Sequence, residues 1–113
     1  MGVDLTIVPQ RYCGIGNWFL GYDRISIDRN YKLFDRIKEI STIRFPENVK
    51  FDWYDDEGLI ETKEDCYGDQ LKYVHAETLA NVFKESELSD RDKATQAYLE
   101  LLPPDYWIVL WWH

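Results

Sequence analysis

Hydrophobic positions change period four times along this chain. Val3 to Val8 is β-branched and apolar and predicts a buried first strand, ended by Pro9. Tyr12 to Gly21 holds three glycines and reads as a loop. Tyr22 to Ile27 alternates, with Ile25 and Ile27 on one side, and predicts a second strand. Asp28 then suits the N-cap of a helix with Tyr31, Phe34 and Ile37 on its apolar face and Leu33 and Ile40 flanking it. Pro46 closes that region. Val49, Phe51 and Trp53 alternate with Lys50, Asp52 and Tyr54, and Asp55-Asp56-Glu57-Gly58 is a turn before Leu59-Ile60, which together predict a hairpin.

The second half carries stronger punctuation. Leu71 to His75 reads as a short strand running into a helix over 76–86, with Leu79, Val82 and Phe83 inward. Ser89 suits the N-cap of a further helix, with Asp92 at its third position near the positive end of the helix dipole. Ala94, Ala97, Tyr98 and Leu101 share one face of that helix and are its expected buried stripe. Pro103-Pro104-Asp105 ends it. Tyr106 to Trp112 then forms an apolar strand in which Trp107, Val109, Trp111 and His113 alternate with Tyr106, Ile108, Leu110 and Trp112. Both sides being apolar, the pattern predicts a central strand covered on both faces. An exposed aromatic interface is the alternative.

Strands and helices in this order predict one α+β domain over 1–113, a mixed or antiparallel sheet of four or five strands with two or three helices packed on it. A length of 113 residues, with 45% hydrophobic and 16% aromatic residues, supports a core without staples. Neither a repeat nor a low-complexity tract interrupts it.

Charge narrows the function classes. The net charge of −8 opposes binding to nucleic-acid phosphates or to an anionic membrane, both of which need a basic footprint. The longest apolar run, Tyr106 to Trp112, is far shorter than the roughly 20 residues of a membrane helix. Eight acids (Asp52, Asp55, Asp56, Glu57, Glu61, Glu64, Asp65 and Asp69) face only Lys50 and Lys63 between positions 50 and 70. Three-quarters of the net charge therefore sits in a fifth of the chain. Asp52, Asp55, Asp56, Glu57, Glu61, Glu64 and Asp65 are the candidate contacts to a basic partner.

Candidate chemistry is sparse. Gly14-Ile15-Gly16 follows a strand, but a dinucleotide turn needs a small residue at position 19, which is Phe. Placing Gly58 at the sixth position of a calcium loop puts Asp55, Glu57 and Glu64 at ligand positions and Trp53, which offers no oxygen, at the first. Cys13, Cys66, His75 and His113 lack zinc spacing, and two cysteines make no disulfide framework. No nucleophile elbow or phosphate loop occurs, so neither a catalytic residue nor a cofactor is assigned. The missing basic n-region and the free thiols point to a cytoplasmic location.

Met1-Gly2-Val3-Asp4-Leu5-Thr6, the segment Tyr67-Gly68-Asp69-Gln70-Leu71-Lys72-Tyr73-Val74, and Ala97 to Asp105 with terminal Trp112-His113 resemble a group of small phage and prophage proteins that start and stop in the same way. The acidic hairpin lies outside the resemblance, and its motifs are not catalytic signatures. The resemblance implies expression inside a bacterial host. The leading expectation is therefore a protein that occupies a basic surface of a host protein, as an inhibitor of a nucleic-acid-handling or defence system. A small enzyme or ligand-binding domain, using Gly14 to Gly16 and His75, is the second class, and a homo-oligomeric structural phage protein is the third.

Overall fold

A computed structural model describes the backbone of residues 2–12, 18–21, 24–41, 43–44, 50–55, 58–61, 64–104 and 106–113, with side chains for 2–9, 24–41, 64–104 and 106–113. The elements run β1 (Leu5–Tyr12), β2 (Trp18–Gly21), β3 (Ile25–Ile27), α1 (Tyr31–Ile40), β4 (Ile43–Arg44), β5 (Lys50–Asp55), β6 (Gly58–Glu61), β7 (Lys72–His75), α2 (Ala76–Lys84), α3 (Asp90–Leu101) and β8 (Trp107–Trp112). This is the α+β class that the alternating pattern predicts.

Strands β7, β8, β1 and β3 form an antiparallel block. Short β4 extends it at one edge, and β2, β5 and β6 extend it at the other. The β2–β5 pair is parallel, so the sheet is mixed. Lys50–Asp55 and Gly58–Glu61 pair as the expected hairpin.

The first strand does not stop at Pro9 but continues to Tyr12, and the last part of the expected glycine loop is β2. The register explains the tolerance. Asp4 and His113 exchange both backbone hydrogen bonds, at 2.7 and 2.9 Å. Alternation then turns the even residues of β1 toward β8, and the odd ones toward β3 and β2. Ile7 pairs with Ile25, whereas Gln10 pairs with Gly21, so the register slips by one residue between them. Pro9 thus lacks its N–H on the edge where the ladder is already broken.

All three helices pack on one face. Leu5, Ile7, Ile27, Val74, Ile108 and Leu110 meet Leu33, Phe34 and Ile37 of α1, Leu79 and Phe83 of α2, and Leu99 of α3. On the opposite face Val8, Leu71 and Val109 form a smaller cluster with half-buried Trp111. The consecutive residues Ile108, Val109 and Leu110 are all at most 1% exposed, so the middle of β8 is closed on both sides as the apolar run predicts. Burial of each such side chain contributes about 1.5–3 kcal/mol relative to exposure.

Two local expectations change. Asn30, not Asp28, caps α1, its Oδ1 accepting from the Leu33 N–H at 3.2 Å. Asp28 lies two residues too early and is turned to α3, where its carboxylate accepts from the Ser89 hydroxyl and from Arg91. Ser89 caps α3 as expected, accepting from the Asp92 N–H at 3.2 Å. The buried face of α3 is Asp92, Thr95 and Leu99, while Ala94, Ala97 and Leu101 face outward and Leu101 is 86% exposed. Two alanines carry little apolar area, so they do not decide which way the helix turns. Anchoring of Asp92 and Leu99 does.

Candidate functional site

Among the described residues, a concavity forms where the end of α1, the turn after Glu64 and the end of β8 meet. It is a cleft of about 660 Å³. Each wall has a local cause.

The turn wall is built by hydrogen bonding within a short acidic stretch. Glu64 and Gln70 bridge as an antiparallel pair. Between them Asp65 Oδ1 accepts from the backbone N–H groups of Tyr67, at 2.8 Å, and Asp69, at 3.1 Å. This is the aspartate side chain substituting for a backbone acceptor in a tight turn. Gly68 adopts φ +82°, a conformation that L side chains rarely adopt. The turn is fastened to the last strand by a bond from the Cys66 N–H to the Trp112 carbonyl, at 3.3 Å. Tyr67 is left 53% exposed at the rim.

The helix wall is the last turn of α1. The buried Ser41 hydroxyl donates to the Lys38 carbonyl at 3.1 Å, and its N–H donates to the Ile37 carbonyl at 3.0 Å, which together close the helix end. The Lys38 ammonium lies 4.9 Å above the Trp112 ring, a cation–π contact. Trp112 is itself held edge-to-face by Phe34, with centroids 5.4 Å apart. Lys72 of β7 adds a second cation to the lining, and Val3 adds an apolar patch.

The structure divides the expected acidic contacts between two places. Asp52 and Asp55 lie in β5 and Glu61 in β6, the outermost strand of the sheet. Asp52 and Glu61 are register partners in the β5–β6 pair. Asp56 and Glu57 lie outside the described residues, as do Cys13, Gly14 and Gly16. Glu64 is exposed, while half-buried Asp65 spends an oxygen on its own turn. Asp69 lines the cleft. Lys38, Ser41, Lys72 and Trp112 join them there, and no sequence spacing relates these four residues.

The other candidates have other settings. His75 precedes α2 without capping it, and its ring stands edge-to-face on Tyr73 with centroids 5.6 Å apart. Its Nδ1 is buried without a hydrogen-bond partner. Tyr73 stacks flat on Trp107 at 3.7 Å, and burial raises its phenol pKa above the usual value. His113 Nε2 is 2.9 Å from the Thr6 hydroxyl. Cys66 is exposed. Among the described residues, no three His, Cys, Asp or Glu side chains are grouped so as to hold a metal ion, and no helix is long and apolar enough to cross a membrane. No family model matches the chain, nor does any curated protein or solved structure.

Proposed function

We propose that the protein acts by binding: its acidic segment docks on the basic surface of another protein, in a bacterial host. The observation that carries this reading is the concentration of eight acids against two lysines between positions 50 and 70. Asp52, Asp55 and Glu61 belong to β5 and β6, the two strands at one edge of the sheet. A host protein that handles nucleic acid presents a surface shaped for phosphates, and carboxylates of this density would compete for it. Occupation of that surface makes the protein an inhibitor of the host system, and the resemblance of the chain's ends to small phage proteins supplies the bacterial setting.

The test is affinity purification from host lysate with the full chain, followed by a binding titration against the retained protein. A basic partner whose affinity falls steeply with added salt is expected, since exposed charge is screened within about 8 Å at physiological ionic strength. Replacing Asp55, Asp56 and Glu57 by Asn, Asn and Gln is expected to slow association, with dissociation little altered. Recovery of the chain alone, as a self-associated species, would turn the reading toward a structural assembly. Unchanged association by the triple variant would remove the hairpin from the interface.

A further inference from the structure

We propose that the cleft between α1, the 65–69 turn and β8 binds a small zwitterion of the amino-acid or short-peptide class. This inference does not rest on the partner reading: it shares Asp65 and Asp69 with the acidic segment, but it needs Lys38 of α1 and Lys72 of β7 and a different ligand chemistry. Its volume of about 660 Å³ falls inside the range of roughly 300–1,000 Å³ typical of small-molecule sites. Charges of both signs line it, and they come from different elements. Lys38 is carried by α1 and Lys72 by β7, whereas Asp65 and Asp69 both belong to the turn.

Those charges are not spent on one another. Among the described residues neither lysine has an ion-pair partner, and the Asp69 carboxylate has none. In a chain of net charge −8, two unneutralised ammonium groups in one cleft favour a carboxylate there. Lys38 is held over Trp112 by its cation–π contact, which leaves its N–H donors available. Asp69 offers an acceptor for an ammonium group, and its backbone is fixed by the bond to Asp65 Oδ1. Tyr67, Val3 and Trp112 supply apolar surface for a side chain. A ligand with one charge alone would leave either the lysines or the aspartate unanswered.

Amide-resolved NMR titration of the full chain tests this with free phenylalanine, leucine, glutamate and glycyl-phenylalanine as probes. The same compounds, N-acetylated or carboxyl-amidated, are the controls. At least one free zwitterion is expected to shift the signals of Ser41, Gln70, Lys72 and the Trp112 indole, with both blocked forms binding at least about tenfold more weakly. Asp69→Asn is expected to remove the preference for a free amine, and Lys72→Gln the preference for a free carboxylate. No shift from any probe at about 10 mM, ten times a millimolar dissociation constant, would overturn the proposal. Equal binding of free and blocked forms would overturn it too, and that comparison needs only the unmodified protein.

Discussion

Asp92 Oδ1 accepts a hydrogen bond from the Asp28 backbone N–H at 3.2 Å, and this bond ties the start of α3 to the segment leading into α1. The Asp92 side chain is fully buried, its Oδ2 has no partner, and its N–H is held by the Ser89 cap. Burial raises the carboxyl pKa above 3.8, with the Asp28 N–H pulling in the opposite direction and the Asp28 carboxylate reinforcing the rise.

That shift has a defined sign. An acid whose pKa is higher folded than unfolded holds its proton longer in the native state, so its contribution to stability is complete below pH 3.8 and is lost as pH rises through the raised value. Asp92→Asn keeps the acceptor for Asp28 and removes the ionisation. The variant is expected to gain stability relative to the parent from pH 3.5 toward pH 7, read as a widening gap between urea midpoints. Parallel curves would remove Asp92 from the acid response.

Helix α1 gives a second expectation. Asn30 both caps the Leu33 N–H and donates from its Nδ2 to the Glu87 carbonyl at 3.0 Å. Asn30→Ala is expected to destabilise the fold by about 1 kcal/mol or somewhat more, since two bonds are lost. A change within error in a denaturation curve would show that the cap contributes nothing.

The turn on the cleft depends on one backbone conformation. At Gly68 an added Cβ meets nothing within 4 Å, so Gly68→Ala tests conformation rather than crowding. A penalty of about 1–2 kcal/mol in chemical denaturation is expected. Stability unchanged by the substitution would mean that the turn reaches an equivalent state with φ negative.

Trp107 lies flat on Tyr73 but is only half-buried. Trp107→Ala is therefore expected to cost about 2 kcal/mol, short of the ~3–5 kcal/mol of a fully buried aromatic. A near-parental midpoint would identify this side chain as dispensable to folding and return it to the pool of interaction residues.

Much of this is local and therefore legible in the residues themselves. Ser89 three positions before Asp92 marks the start of α3 because the cap bond spans that interval. The run Ile108-Val109-Leu110 announces a strand buried on both faces, since opposite sides of a pleat are both apolar. Concentrated charge between 50 and 70 is likewise visible without any fold. Tertiary structure decided what depends on partners distant in sequence. Pro9 sits inside β1 because the register slips between Ile7 and Gln10, which no local pattern records. The inward face of α3 was set by Asp92 reaching Asp28 and by Leu99 reaching the core, against a weak stripe of alanines. Lys38, Asp69, Lys72 and Trp112 share a cleft because β7 and β8 pair while α1 packs across them. Hydrophobic period and capping act over one or two helical turns, but charge and cavity are properties of surfaces, and surfaces exist only after the chain has closed on itself.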